Sequence, residues 1–340
     1  MALLKYLPYT LPLDPNKKEV LDVRLGNTCQ LACRGCCSSS KCDTDNVVLP
    51  DVPKIEWLAD ALGTKLIMID EVGEPAEASN RGKFKEILAF AKSRGILVSC
   101  FSNMVDWDDE LFGYVKGGTL CVLYQLYSRD FATLWSYHQV NRVEEIRRNI
   151  GRLRTLVRQT DEGATNIAAS IYPTIENIQE IPMMVRDCLF WGIHPFVGEF
   201  LRMGRGEENG DLLEVSDDAL AELHATVSQI ICKDYEVPLC PCILNGVHMV
   251  GDGTIIVDRV TGLACDGLSY VDPVTVYEVY RIRDGFKAKD AQVILDHIRE
   301  YERERLPYVR AIRNEVPDYY FGNCSGRPKK VLDAWLKRFD

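Results

Sequence analysis

The sequence predicts an α/β protein built on a parallel sheet, and three observations support this. Short apolar strands alternate with amphipathic helices along residues 20–231, and parallel strands need such crossover helices. Hydrophobic residues make up 46% of the chain, which is typical of a globular protein with a packed core. No apolar run is long enough to span a bilayer.

The predicted elements form about six strand–helix units. Strands are predicted at residues 20–25, 65–69, 96–101, 120–126, 166–172 and 196–201. Helices are predicted at residues 83–94, 143–157, 178–191 and 220–231, from apolar side chains spaced three and four apart. Gly95 is placed to end the first of them. A full (β/α)8 barrel would need two further units, so the expected fold is a partial (β/α)6 TIM barrel.

After residue 231 the pattern changes. Leu239-Cys-Pro-Cys242 precedes a hairpin expected over residues 247–257, with its turn at Gly251-Asp-Gly253. Two more helices are expected, at residues 291–304 and 330–339. We therefore expect a barrel domain at residues 1–231 and a small α+β domain at residues 232–340.

Three cysteines in the loop after the first strand are the strongest chemical signal. They stand in the run Cys29-Gln-Leu-Ala-Cys33-Arg-Gly-Cys36, with the spacing C-x3-C-x2-C. Three thiolates so close together can bind three corners of a cubic iron–sulfur cluster and leave its fourth iron open to a small molecule. Zinc is the alternative, because thiolates at short spacing also suit that metal.

This spacing resembles the signature of the radical S-adenosylmethionine (SAM) superfamily. The resemblance implies the partial barrel, a [4Fe–4S] cluster that binds SAM, and cleavage of SAM to a 5′-deoxyadenosyl radical. The sequence departs from the superfamily pattern in two ways. Gly35 stands where an aromatic residue is common, and Cys37 beside Cys36 leaves two choices for the third ligand.

The turn after the second strand resembles the Gly-Gly-Glu-Pro motif of the same superfamily. It reads Val72-Gly73-Glu74-Pro75, with valine in place of the first glycine. A carboxylate at Glu74 suits the ammonium group of SAM, and Gly73 lets the backbone approach a ligand closely. The alternative is a plain surface turn.

Further polar residues are candidate SAM contacts because of where they fall on the strands. Ser102 and Asn103 end the third strand, where relatives often carry Thr-Asn-Gly, so they are candidates for the ribose or for a helix cap. Gln125 and Ser170 are expected to face the barrel lumen. The segment 203–206, Met-Gly-Arg-Gly, resembles a Gly-Arg-Gly segment of relatives with C-terminal extensions.

A second constellation of cysteines lies in the predicted C-terminal domain. Its members are Cys240, Cys242, Cys265 and Cys324. Four thiolates can hold an auxiliary [4Fe–4S] cluster, and the layout resembles the SPASM/twitch extensions, in the shorter form with one cluster. Relatives often carry a cysteine at the position of Asp258, so either Asp258 or Cys265 is the expected ligand, with Cys232 in reserve. A zinc site, or no metal, remains open here.

The other cysteines have simpler interpretations. Cys100, Cys121 and Cys188 lie in apolar strands or a helix and are expected in the core, whereas Cys37 and Cys42 lie near the first cluster without an assigned role. Thirteen cysteines in a chain with no signal peptide favour metal ligation and a cytoplasmic location. The net charge of −10 argues against a nucleic-acid surface.

The substrate is the least defined prediction. Only 28 residues precede the first cysteine, too few for the peptide-recognition domain of many relatives, which favours a sugar, sugar nucleotide or aminoglycoside-like metabolite. The candidate contacts, expected to point into the barrel near the strand ends, are Tyr124, Tyr172, Glu199 and Arg202. A flavodoxin or ferredoxin is the expected electron donor. The alternatives are a SPASM-type peptide-modifying enzyme, a zinc-stabilised binding module and a two-cluster electron-transfer protein.

Overall fold

The structure is a computed structural model. It describes residues 19–40, 52–69, 73–158, 165–198, 200 and 204–232, the strand segments 4–6, 9–11, 246–249 and 255–256, and scattered positions between 303 and 339. Several predicted residues lie outside this described part. They are Cys42, Val72, Glu199, Arg202, Met203, Cys240, Cys242, Asp258, Cys265 and Cys324.

The predicted partial barrel is confirmed. Its strands are β3 Val20–Val23, β4 Leu66–Ile69, β5 Leu97–Ser102, β6 Leu120–Gln125, β7 Ile167–Ile171 and β8 His194–Val197. Each pairs in parallel with the next, so all six carboxyl ends point the same way. A separate N-terminal hairpin joins β1 Leu4–Tyr6 to β2 Tyr9–Leu11.

The hairpin predicted over residues 247–257 is also confirmed. It consists of β9 Gly246–Met249 and β10 Ile255–Ile256, which pair antiparallel. Strand β9 pairs in parallel with β3, so the hairpin extends the barrel sheet at its first strand. The sheet is therefore continuous across the predicted boundary at residues 231 and 232.

The helices in the described part of the chain cover the outer face of the sheet or follow strand ends. They are α1 Val52–Leu62, α2 Ala78–Arg94, α3 Asp109–Gly117, α4 Phe131–His138, α5 Val143–Leu156, α6 Ile181–Phe190, α7 Arg205–Glu208, α8 Gly210–Leu213 and α9 Asp217–Ile231. Gly95 ends α2 in the left-handed conformation, as predicted. Helices α1, α3, α4, α7 and α8 were not predicted. None of the described helices is long and apolar enough to cross a membrane.

Alternation along the strands separates two apolar clusters. The lumen cluster consists of Val20, Leu66, Met68, Cys121, Leu123, Ala168 and Phe196. The larger cluster lies between the sheet and the helices and includes Cys100 and Cys188. All three cysteines predicted to lie in the core are buried. Below the carboxyl ends of the strands the lumen is therefore mostly apolar.

Candidate active site

A cavity of about 840 Å³, counted to its open mouth, lies at the carboxyl ends of the barrel strands. Cys29, Cys33 and Cys36 line it from the loop after β3. From the following strand ends it is lined by the predicted residues Gly73, Glu74, Ser102, Asn103, Gln125, Ser170 and Tyr172. The fold thus brings the cysteine motif and the turn at Gly73 and Glu74, which are far apart in sequence, into the same cavity.

The cysteine thiols face hydrogen-bond partners that suit thiolates. Leu31 N–H and Asn103 Nδ2–H lie 3.4 Å and 3.3 Å from Cys29 Sγ, and His138 Nδ1 lies 3.1 Å from Cys33 Sγ. Burial, with Glu74 as the second cause, raises the pKa of Cys29 to about 12. Burial also raises the pKa of Cys33. The thiols of Cys29 and Cys33 therefore keep their protons at neutral pH, and a bound cluster would hold them as thiolates.

Helix α7 supports the cysteine loop through hydrogen bonds to its backbone carbonyls. Arg205 donates from Nε to the Cys33 carbonyl and from Nη1 to the Ser40 carbonyl, both at 2.9 Å. Gly204 has a φ of 53°, and a Cβ there would lie 2.6 Å from the Cys37 carbonyl oxygen. The described part of the predicted Gly-Arg-Gly segment therefore holds the loop in place.

Helix α4 supports the same loop from the side. The N–H groups of Ala32 and Arg34 donate to the carbonyls of His138 and Tyr137 at 3.1 Å and 3.0 Å. The cysteine loop thus satisfies carbonyls that the helix end leaves unpaired. The sequence carried a signal for this missed helix, because the Asp130 side chain accepts the Thr133 N–H at 2.8 Å as an N-cap.

Glu74 is 2% exposed and accepts three hydrogen bonds. They come from Ser102 Oγ at 2.7 Å, Asn103 N–H at 2.7 Å and Ala76 N–H at 3.2 Å. Burial raises the pKa of Glu74 to about 7. A cation bound beside this carboxylate would lower that pKa, so the site suits an ammonium group.

The turn at Gly73 is tied directly to the start of the cysteine loop. Gly73 has a φ of 81°, and a Cβ there would lie 2.1 Å from the Gly26 carbonyl oxygen. Asn80 on α2 donates to the carbonyls of Gly26 and Glu74 at 3.0 Å and 2.9 Å. Asn80 was not singled out in the sequence, where a helical asparagine carries no signal of this bridging role. Pro75 is buried behind the turn and does not line the cavity.

Two predicted SAM contacts have a structural task as well. Ser102 Oγ donates to Glu74 and accepts the Trp107 Nε1–H at 2.8 Å. The Asn103 side chain accepts the Val105 N–H at 2.8 Å and donates to Cys29 Sγ. Ser170, by contrast, is 1% exposed, and its hydroxyl makes no hydrogen bond within the described residues. A buried hydroxyl at a cavity wall fits a ligand that hydrogen-bonds there.

One predicted substrate contact lies on the wrong face of its strand. Tyr124 is fully buried in the cluster between sheet and helices. The expectation that Tyr124 points into the lumen is therefore wrong. Side chains alternate along β6, so Leu123 and Gln125 face the cavity and Tyr124 faces away.

The donor set fits an iron–sulfur cluster. Among the described residues, no three His, Cys, Asp or Glu side chains are arranged around a single metal ion. A cubic cluster places each thiolate on a different iron, so it needs thiols spread around one cavity. The three motif cysteines all line this one cavity.

No protein-family model matches the chain, and no curated protein sequence is significantly similar to it. Among solved structures it is similar to Streptococcus suis SuiB bound to S-adenosylmethionine, with a TM-score of 0.58 and 13% identity. This match covers 81% of the present chain and 65% of SuiB, which is less than two thirds of that protein. SuiB bound to the precursor peptide SuiA is similar with a TM-score of 0.53 and 12% identity, over 71% of this chain and 59% of SuiB. These matches show a shared fold, which agrees with the partial barrel expected from the sequence.

Proposed function

We propose that this chain is a radical SAM enzyme. The observation that carries the proposal is the meeting of the three motif cysteines with Glu74 in one cavity at the strand ends. The cavity thus offers a carboxylate to the amino group of SAM and, beside it, thiols for a cluster with an open iron. In parallel barrels this edge of the sheet is where chemistry is placed.

The residues have distinct roles in this proposal. Cys29, Cys33 and Cys36 hold the cluster, and Glu74 binds the ammonium group of SAM. When bound, the [4Fe–4S] cluster and SAM supply a 5′-deoxyadenosyl radical that removes a hydrogen atom from the substrate. Leu123 gives the bottom of the cavity an apolar surface that excludes water. Ser170 provides a buried hydroxyl that can hydrogen-bond to SAM.

We further propose that residues 232–340 carry an auxiliary [4Fe–4S] cluster. The four cysteines Cys240, Cys242, Cys265 and Cys324 are its expected ligands. Such a cluster would accept an electron from the substrate radical, bind the substrate or donate sulfur. A flavodoxin or ferredoxin is the proposed donor of the electron that starts each cycle.

The decisive experiment measures iron, sulfide and SAM cleavage on anaerobically reconstituted protein. The wild type is compared with C29A/C33A/C36A and with the control Cys188→Ala, a buried cysteine outside the cavity. About eight irons per chain, falling to about four in the triple variant with loss of 5′-deoxyadenosine, supports both clusters. Iron without SAM cleavage would indicate an electron-transfer protein, and zinc without iron would exclude the enzyme altogether.

For the substrate we propose a small polar metabolite, and the support is that the candidate substrate contact Tyr172 lines the cavity. A peptide substrate is the second candidate, favoured by the similar solved structure of SuiB bound to a precursor peptide. Deuterated sugars, amino sugars and peptides would be compared for deuterium transfer into 5′-deoxyadenosine. Transfer from a peptide, dependent on its leader, would replace the first candidate by the second.

A further inference from the structure

Gly35 precedes the third motif cysteine, where the resembling superfamily often carries an aromatic side chain. The space beside Gly35 is already occupied. A Cβ on this residue would lie 2.7 Å from Tyr137 Oη, 3.0 Å from Phe200 Cε2 and 3.3 Å from Tyr137 Cε2. Tyr137 and Phe200 both line the cavity, so aromatic rings from other elements take the place that the cysteine loop leaves open.

Glycine is needed at position 35 because there is no room for a side chain, and not because the backbone adopts a conformation that only glycine tolerates. Its φ is not among the positive values that favour glycine. An alanine could adopt this backbone, but its methyl group would overlap the Tyr137 hydroxyl. The requirement for glycine at position 35 therefore depends on the residue at position 137.

The Tyr137 ring is held rigidly. It is 3% exposed and stacks on Tyr127, with ring centroids 3.5 Å apart and planes 13° apart. The Tyr127 hydroxyl donates to Glu176 at 2.9 Å, and Glu176 forms an ion pair with Arg34 of the cysteine loop. The ring and the loop that it faces are thus fixed to each other through one network.

We propose that Tyr137 provides, from helix α4, the aromatic wall of the SAM site, and that Gly35 leaves the room it requires. The identity of the ligand rests on the proposed function, whereas the steric dependence of position 35 on position 137 does not. Aromatic rings suit both the flat adenine and the sulfonium cation of SAM. Tyr137 thus positions SAM with an aromatic ring that the cysteine motif does not supply, because the motif has glycine at position 35.

The test uses four variants of the full chain: Gly35→Ala, Tyr137→Phe, the double variant, and Tyr137→Leu. The matched control is Gly113→Ala on α3, where an added Cβ meets nothing within 4 Å. Thermal stability is measured without cofactors, and equilibrium SAM binding is measured on reconstituted protein with its iron content recorded.

We expect Gly35→Ala to lower Tm and weaken SAM binding about tenfold, and Gly113→Ala to do neither. Tyr137→Phe should bind SAM within about twofold of the wild type, and it should restore most of the loss when combined with Gly35→Ala. Tyr137→Leu should bind SAM about tenfold more weakly at unchanged iron content, because the ring is lost.

Two results would overturn the proposal. One is a Gly35→Ala protein that matches the control, or whose loss Tyr137→Phe does not relieve. The other is a folded Tyr137→Leu protein that binds SAM as tightly as the wild type. If the wild type binds no SAM at all, the proposed function fails, but the cofactor-free stability cycle still decides whether position 35 depends on position 137.

Discussion

The cysteine loop, residues 27–40, and the carboxylate turn, residues 73–77, reach the same cavity but are secured differently. The turn is held by close neighbours, since Ser102 and Asn103 bond to Glu74 across 28 and 29 residues of sequence. The loop is held by distant elements, with Arg205 172 residues from Cys33 and His138 105 residues from it. The proposed ammonium site thus depends on adjacent strand ends, whereas the proposed cluster site also depends on elements far away in the sequence.

The largest effect is expected where the two regions meet, at Gly73. Replacing it by alanine forces a Cβ to within 2.1 Å of the Gly26 carbonyl at a positive φ. Strain of this kind costs about 1–3 kcal/mol before the steric overlap is added. Gly73→Ala should therefore lose both iron and SAM binding, measured by iron analysis and by equilibrium binding. Gly82→Ala, with open space around its Cβ, is the control and should keep both.

A change confined to the carboxylate turn should separate the two functions. Glu74→Gln removes the charge facing the ammonium group, and we expect SAM binding to weaken about a hundredfold with iron content unchanged. A parallel loss of iron would show that the turn also supports the metal site.

The same carboxylate predicts a pH dependence. Burial raises the pKa of Glu74 to about 7, so the unliganded group is protonated below that pH and charged above it. Only the charged form attracts a cation, so SAM affinity should rise with pH through about 7 and level off above it. The raised pKa also means that ionising Glu74 opposes folding, so its contribution to stability falls as pH rises from 4.5 to about 7. Glu74→Gln should bind SAM with no such rise, and a similar rise in the variant would assign the titration to another group.

A change confined to the support of the cysteine loop should show the reverse pattern. Arg205→Ala leaves the carbonyls of Cys33 and Ser40 without this donor, a loss of about 2 kcal/mol. Iron content after reconstitution should fall, and SAM affinity should fall only in proportion to it. Arg205→Lys keeps the charge but cannot donate to both carbonyls as the guanidinium does, so its iron content should be little higher than that of Arg205→Ala. Full recovery by lysine would show that charge, not geometry, holds the loop.

The smallest effect is expected at Ser102. Ser102→Ala removes one of three hydrogen bonds to Glu74, worth about 1 kcal/mol or roughly fivefold in SAM affinity. Ser99→Ala, a buried serine on the same strand that does not line the cavity, is the control. Equal effects of the two changes on SAM binding would count against the support of Glu74 by Ser102.

Much of this arrangement could be predicted from local patterns. Short apolar segments located all six barrel strands, the Gly251-Asp-Gly253 turn located the hairpin, and both cavity motifs follow strands. The failures share a cause, because they concern side chains whose role depends on distant partners. Tyr124 was assigned to the lumen because the sequence located its strand but not which face of the sheet the side chain is on. Helix α4 was missed, although two of its residues contact the cysteine loop.

By itself the sequence determined the strand–helix order, the three thiols and the carboxylate, because periodicity and motif spacing are properties of short segments. Only the tertiary structure decided which groups support them: Arg205 and His138 against Cys33, Asn80 against the Gly73 turn, and Tyr137 beside Gly35. The folding of the partial barrel brings these groups together across large sequence separations. A glycine that departs from the expected motif is then explained by the ring that packs against it.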